Sequence, residues 1–479
     1  MPIALVVLVC LLGLAAPAAA QPPETVSVSL AAAIDAAMRE NPEVRLAREQ
    51  IEEFGLRVRG VRADALPQVN LVGTFQRTRD PGLRNSPFFS RLTTGPEPLP
   101  QDALNPFYFG TYFYRLEVEQ PLYHFGRVGN ALEAARQELQ GVETDVRGVE
   151  TRIAFDVARA YYDLLLARER REVLETEREA RERELQQVRD RLELGETTRL
   201  ELLQAEVAMA NLRPEVLTAD NTIRVALTRL NGVLGRAPLS PFEPADTLAA
   251  LPELPQLPDI QGLFDLADEH RAELRRYQLT RSVLEAAEGV TRADTMPEIS
   301  ARGNVGINSF RVDNLARPAF HGWTLGVDVR WTIFDGFRTS STIGQLRSQR
   351  RQSELDEAAF RAGLARDLER ARGDWEQALE TVDVAALAVD QAREAGRVAE
   401  ELFGLGAATF LDVLAAARAL RQAELMRLQA SHAALSALAE VKTLVGLRPD
   451  AANATLTAGR STGQPIAAGI LGRPLTVNR

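Results

Sequence analysis

The sequence predicts a mainly α-helical fold with two pairs of transmembrane-type β-strands, built by internal duplication. Three observations lead there. The chain carries one structural unit twice. Each copy holds a long proline-free run with helical patterning, Arg127–Leu194 and Arg338–Leu405. Each copy also holds a pair of segments in which apolar and polar residues alternate.

The duplication is read directly from the residues. Arg-Ala-Asp-Ala-Leu-Pro-Gln-Val (Arg62 to Val69) returns as Arg-Ala-Asp-Thr-Met-Pro-Glu-Ile (Arg292 to Ile299), an offset of 230 between Pro67 and Pro297. Gly195 returns as Gly406 and Gly235 as Gly446, both at an offset of 211. The offset falls by 19 between the two strand-like segments of each half, so only that connection differs much in length. A repeat of this size exceeds solenoid periods of roughly 20–50 residues and marks a duplicated domain half.

The first twenty residues (1–20) are apolar and end in Ala18-Ala19-Ala20 before Gln21, the pattern of a secretory signal peptide, although its leading residues include no Lys or Arg. Cys10, the only cysteine, lies inside it, so the exported chain is expected to hold no thiol or disulfide. With 56 basic and 66 acidic residues the net charge is −10, and aromatics are only 6%; a nucleic-acid partner is not favoured. No later segment has the ~18 uninterrupted apolar residues of a transmembrane helix, which leaves strands as the way to span a membrane.

The first unit is expected over 21–237. Leu30, Ile34 and Ala37 share a helical face, Asn41-Pro42 breaks that helix, and a second runs to about Asp64. Beyond Pro67 the period changes from 3.6 to 2. A strand pair is expected within 68–124, with a Pro/Gly-rich connection from about Asp80 to Phe107. Val69, Leu71 and Phe75 alternate with polar residues on the way out, and Leu116, Val118 and Leu122 alternate with Arg115, Glu117 and Glu119 on the return. A helical hairpin follows over 127–235. Its outgoing arm of about 68 residues would span roughly 100 Å. Leu132, Ala135, Leu139, Val142, Val146, Val149 and Ile153 step by 3 and 4, a coiled-coil seam edged by Glu and Arg. Gly195 and Gly406 end the long helices. The return helices are read as Thr197 to Leu234 and Ala408 to Val445, with Pro214 expected to kink the first.

A proline-rich link occupies 238–259. The second unit is expected over 260–449, with a strand pair in 297–335, where Val327, Val329, Trp331 and Ile333 alternate with polar residues, and a hairpin over 338–446. The tail, 450–479, is read as partly disordered.

Each strand pair has one face suited to lipid. A sheet in a bilayer cannot leave an edge, because unpaired backbone groups cost several kcal/mol each in hydrocarbon. Four strands cannot close, so oligomerisation is required if they span. The result would be a tube of strands continued by a ring of coiled coils.

Nearly the whole exported chain resembles the TolC family of outer-membrane efflux proteins. The resemblance rests on Ser29-Leu30 through Asn41-Pro42, Leu66-Pro67-Gln68-Val69, Gln120-Pro121-Leu122-Tyr123, Trp331-Thr332-Ile333-Phe334-Asp335-Gly336 and Leu405-Gly406 through Thr409-Phe410-Leu411-Asp412-Val413-Leu414. It implies a homotrimer: a 12-stranded outer-membrane barrel on a 12-helix periplasmic tunnel. Such a duct passively takes cargo from an inner-membrane transporter through a periplasmic adaptor, a membrane fusion protein.

The resemblance also supplies candidate residues. In the family, acidic rings line the periplasmic mouth. Asp412 matches one ring position and Glu201 is its equivalent in the first half, whereas Ala415 and Ala408 stand where the family has a second acid and, in some members, a locking arginine. The plainer reading of Asp412 and Glu201 is acids in the first turn of a helix, favoured by the dipole. The hairpin tips, with Leu194, Gly195, Thr198, Leu405, Gly406 and Thr409, would receive the adaptor. Tyr123 and Trp331 are candidate membrane-interface aromatics. No catalytic constellation, cofactor motif or metal-ligand spacing is found: His124, His270, His321 and His432 stand far apart. Two other classes share some features. A periplasmic adaptor also carries helical hairpins, but the duplicated strand pairs argue against it; a filamentous coiled coil is opposed by the same strands.

Overall fold

The computed structural model describes residues 27–78, 109–248, 254–309 and 317–457. The expected signal peptide, the connection from Asp80 to Phe107 and most of the tail lie outside them. In chain order the elements are β1 (Ser27–Val28), α1 (Leu30–Glu40), α2 (Pro42–Ala63), β2 (Gln68–Thr78), β3 (Phe109–Tyr123), α3 (Arg127–Glu193), α4 (Arg199–Leu234), β4 (Glu243–Pro244), α5 (Ile260–His270), α6 (Ala272–Ala293), β5 (Glu298–Ser309), β6 (His321–Arg330), α7 (Arg338–Gly404), α8 (Phe410–Leu444) and α9 (Asn453–Thr457).

Local chemistry sets most of these boundaries. Asn41 caps α2 with Oδ1 accepting from the Glu43 and Val44 amides at 2.7 and 3.3 Å, and Pro42 supplies a first residue that needs no donor. The long helices α3 and α7 each have 67 residues. Both stop in the same way. Gly195 and Gly406 take left-handed φ of 76° and 72°. The next amides, of Glu196 and Ala407, return to the carbonyls of Arg191 and Leu402 at 2.8 Å. These are Schellman closures. The return helices start two residues later than the periodicity suggests, because Thr198 and Thr409 stand outside them as caps. α4 runs unbroken through Pro214, whose carbonyl also accepts from Thr218 Oγ1 at 2.8 Å.

The four long strands form one antiparallel sheet in the order β2-β3-β5-β6. Its register separates two faces. Val69 pairs with Val118, Leu71 with Leu116 and Phe75 with Tyr112; across the joint Val305 pairs with Trp323 and Ile299 with Val329. All these lie on one apolar face. The other carries Asn70 opposite Glu117, Glu119 opposite Arg302, and Glu298 opposite Arg330. The expected pairs are therefore present, and β3 joins β5 between them.

One expectation is corrected. Strand β6 ends at Arg330 instead of running on through Trp331 and Ile333. Trp331 turns its indole Nε1 to donate to the Thr295 carbonyl at 3.1 Å, and the chain then bends into the turn that opens α7.

The chain divides into two compact units. Among the described residues, one takes those up to Ala36, those from Val157 to Pro252 and Thr381–Ala433; the other takes Ala37–Asp156, Glu253–Glu380 and those from Ala434 onward. The second unit contains the four-stranded sheet. Arg276 there pairs with Glu138 at 2.8 Å, joining α6 to α3, and Arg370 pairs with Glu440 at 3.0 Å, joining α7 to α8.

The burial of α3 changes along its length. Val142, Val146 and Ile153 are buried as a seam should be, but from Ile153 to Ala167 burial widens to include Ala154, Val157, Ala158, Ala160, Tyr161, Leu164 and Leu165. In the first unit the inter-repeat link covers this face. Phe242 meets the Tyr161 ring at 6.1 Å, and Tyr161 Oη donates to Asp246 Oδ2 at 2.7 Å. The Leu248 amide donates to Glu169 Oε1 at 2.5 Å. The described part of the link up to Leu248 is thus a packed strap carrying β4, which pairs in parallel with β1.

Candidate functional site

The hairpin tips are built from the capping chemistry just described. In the second half Thr409 Oγ1 accepts from the Asp412 amide at 3.3 Å. In return, Asp412 Oδ2 accepts from the Thr409 amide at 2.8 Å and from Thr409 Oγ1 at 2.7 Å. This is a reciprocal capping box, Thr-x-x-Asp. The two hydrogen bonds from Thr409 hold the Asp412 carboxyl below its ordinary value of 3.8. The first half is looser. Thr198 Oγ1 accepts from the Glu201 amide at 3.3 Å, but the Glu201 carboxylate takes its hydrogen bond from Thr197 Oγ1 instead of closing the box. Leu194 and Leu405 stand at the two apices, 73% and 81% exposed.

Asp412 thus caps its own helix, a role beyond the helix-dipole reading given above, whereas Glu201 stands in the first turn of α4 without closing the box. The sign of the Asp412 shift has a consequence. A carboxyl with a depressed folded pKa stays ionised until the pH falls through that lowered value, below the 3.8 of the free group. Any effect of its charge on ion passage is therefore expected to be flat between roughly pH 5 and 7. Conductance recorded across that range tests this; a titration midpoint inside it would show that other carboxylates crowd Asp412 strongly enough to outweigh the Thr409 hydrogen bonds.

Behind the tips lies a small core of Leu185 and Val188 from α3, Ala205 from α4, and Phe410 and Leu414 from α8, with Phe403 of α7 against it. Phe403 and Phe410 meet at 6.0 Å, and the Arg191 guanidinium covers Phe403 at 5.3 Å. Gly406→Ala would force a side chain into the left-handed region beside this core, at a cost of ~1–2 kcal/mol. Increased proteolysis at the tip of the variant would report it.

Further along, a cavity of about 610 Å³ is lined by both apolar and charged groups, among them Phe410, Val413, Leu420, Arg181 and Glu424. Arg421 of α8 reaches Glu177 of α3 at 3.0 Å and Glu215 of α4 at 3.5 Å, and Arg181 pairs with Glu184 at 2.6 Å. Burial pushes the Glu424 carboxyl up despite the nearby charges of Arg393 and Arg427. Sequence reasoning missed this cluster. Glu and Arg cover every face of these helices, so no spacing distinguishes an inward pair. In the same unit His432 reaches Asp163 Oδ1 at 2.9 Å, and Arg229 reaches Asp163 Oδ2 at 2.9 Å. Burial pushes Asp163 upward, but the His432 hydrogen bond and these neighbouring charges bring it net below its ordinary range.

The sheet supplies the other functional surface. Arg302 of β5 bridges Glu119 of β3 at 3.4 Å and Asp328 of β6 at 3.5 Å on the polar face, where Arg115 also pairs with Glu117 at 2.5 Å. Tyr123 and Trp331 are both exposed at the helix-proximal end of the sheet, one against Phe125 and the other tied to Thr295. Among the described residues no group of three or more His, Cys, Asp or Glu is placed to hold a metal ion, and no helix is long and apolar enough to cross a membrane.

A sheet apolar on one face and charged on the other, followed by long capped helical hairpins, defines a class. The family model described as outer membrane efflux protein matches residues 33–236 and 263–447, and the chain belongs to that family. It is an outer-membrane transport protein, not an enzyme. Among relatives, the outer membrane protein TolC of Vibrio cholerae serotype O1 is 20% identical over 297 residues, covering 61% of this chain and 67% of its own. Nodulation protein T of Rhizobium leguminosarum bv. trifolii is 22% identical over 423 residues, covering 87% and 85%. Among solved structures, the open state of the Neisseria gonorrhoeae MtrE outer membrane channel superposes with a TM-score of 0.70 at 20% identity, covering 87% of this chain and 89% of that one.

Proposed function

We propose that three copies of this chain form a passive exit duct. It would comprise a 12-stranded outer-membrane barrel and a 12-helix periplasmic tunnel. Cargo would enter from an inner-membrane transporter by way of a periplasmic adaptor. The observation that carries this reading is the two-faced sheet whose edges, β2 and β6, have no strand partner among the described residues. Such edges in hydrocarbon demand closure, and pairing β6 of one copy with β2 of the next supplies it. Exposed apolar seams agree: Leu200, Leu203, Val207 and Leu217 on α4, and Val384, Leu387 and Val398 on α7, keep coiled-coil spacing and remain exposed among the described residues. The repeated order of strand pair, long helix and return helix supports descent from one duplicated unit.

The tip residues Leu194, Gly195, Thr198, Leu405, Gly406 and Thr409 would meet the adaptor, and Asp412 with Glu201 would form acidic rings at the mouth. Three copies of an ionised Asp412 around one lumen would attract cations. Heat-resistant trimers extracted from outer membranes, with single-channel conductance in planar bilayers, are the expected result. Recovery in the soluble periplasmic fraction would overturn the reading. Asp412→Ala is expected to change conductance and cation block; if both stay as in the parent, Asp412 has no place in the gate.

A further inference from the structure

An apolar stripe of α8 faces a cavity instead of a packed neighbour. Phe410, Val413, Ala417, Leu420 and Glu424 step by 3, 4, 3 and 4, so they share one face of the helix. Phe410 is buried in the small core behind the tips, but Val413, Ala417 and Leu420 are only half-buried. They line the cavity of about 610 Å³, and α3 lines it from the other side, chiefly with charged and polar groups such as Arg181, Glu184 and Gln187. That volume lies within the range of sites for drug-sized organic molecules, roughly 300–1,000 Å³.

The charges around the cavity decide what it can hold. Its arginines are engaged. Arg181, only 6% exposed, reaches Glu184 at 2.6 Å and Glu177 at 3.6 Å. Arg421 reaches Glu177 and Glu215, Arg183 donates to the Glu179 carbonyl at 3.3 Å, and Arg191 covers the Phe403 ring. The acids are not all engaged. Among the described residues Glu424 makes no hydrogen bond and no ion pair; Arg393 and Arg427 act on it only from farther off, and Glu177 repels it. Glu177 Oε2 is buried and takes no hydrogen bond, although Arg421 lies 3.0 Å away. Glu177 and Glu424 each stand 18 residues from the tip glycines Gly195 and Gly406. The two carboxylates therefore share one level, roughly 27 Å behind the tips. Partly buried carboxylates with acceptor capacity left over call for a cationic donor.

We propose that the cavity between α3 and α8 is a binding site for an amphiphilic organic cation. The apolar body lies along Val413, Ala417 and Leu420, with Phe403 and Phe410 at the end nearer the tips. The ammonium sits at Glu424 and Glu177. An anionic ligand would find the arginines taken. A purely apolar one would strip water from Glu424 and supply no partner. A bare inorganic cation would leave the apolar stripe unused. The site is formed within one chain, so it stands or falls independently of the trimeric duct proposed above.

Equilibrium dialysis of the full-length protein in dodecyl maltoside at neutral pH, with 1-naphthylmethylammonium as probe, tests the proposal. Detergent without protein gives the partition baseline. 1-Naphthylmethanol keeps the ring without the charge, 1-naphthoate carries the opposite charge, and methylammonium keeps the head without the ring. The expected result is saturable binding of the probe, weakened about tenfold or more in Glu424→Gln. Binding should be lost in Ala417→Phe, which fills the middle of the cavity. If that variant does not fold, Leu420→Gln gives the same reading by removing apolar character at little change in size. Each comparator should bind at least about tenfold more weakly than the probe. Equal binding of the ammonium and the alcohol, or probe binding unchanged in Glu424→Gln, would overturn the proposal. So would the absence of saturable binding. Loss of binding in Asp412→Ala with none in Glu424→Gln would place the cation at the mouth and overturn it as well.

Discussion

Gly306→Ala is expected to yield a chain that reaches no heat-resistant trimer and gives no channels in planar bilayers. Gly306 sits in β5 opposite Arg115 of β3. A Cβ built there would overlap the Tyr114 carbonyl oxygen and the Cα and Cβ of Arg115. Two of these are backbone atoms that cannot swing aside. Overpacking of this kind costs about 3 kcal/mol at its upper end. Here relief requires parting β3 from β5, the joint that makes one four-stranded sheet of two hairpins. Separate hairpins would expose two further edges to hydrocarbon. Gly303→Ala, in the same strand, is the control: its Cβ would meet only Leu325 Cδ1 at 3.5 Å and the Thr324 carbonyl at 3.8 Å, both ordinary contacts. The pair is compared by heated and unheated gel migration of outer-membrane extracts. Equal trimer yield from both variants would show that the β3–β5 approach is not as close as described.

Trp375→Ala is expected to destabilise the protein by roughly 3–5 kcal/mol, the range for removing a large buried aromatic side chain. Trp375 is 1% exposed and lies on the seam of α7. Leu364, Leu368, Ala371, Trp375 and Ala378 are all buried and step by 4, 3, 4 and 3. Small residues on both sides leave nothing large enough to refill the space. The purified variant should unfold at a distinctly lower temperature than the parent, whereas Val384→Ala, at an exposed seam position, should leave the fold of the chain intact and weaken assembly. An unchanged midpoint for Trp375→Ala would contradict its place in the core.

The parts of this molecule that were legible in the sequence are those whose determinants are local. Asn41-Pro42 announces the start of α2, and Gly195 and Gly406 announce the ends of α3 and α7, because capping needs only a few neighbouring residues. The Thr409–Asp412 box is equally local, three residues apart in one helix turn, but it became clear only from the hydrogen bonds themselves. Period-2 alternation identified β2 and β3 for the same reason. It overran β6, since Trp331 and Ile333 keep the pattern while the Thr295 carbonyl draws the indole out of the strand.

What the sequence by itself determined is the long helices and the long strands, their order and the two chemistries of the sheet; β1, β4 and α9 left no local pattern that was read. Periodicity, caps and breakers act within one or two turns, so they are present in any window of the chain. Only the tertiary structure decided that β3 pairs with β5, and that the proline-rich link is strapped over α3 through Phe242, Tyr161 and Asp246. It also decided that Arg421 bridges α3 and α4. Each of these depends on groups far apart in sequence meeting at a few ångströms. Their meeting is set by strand register and helix packing, which a local pattern does not contain.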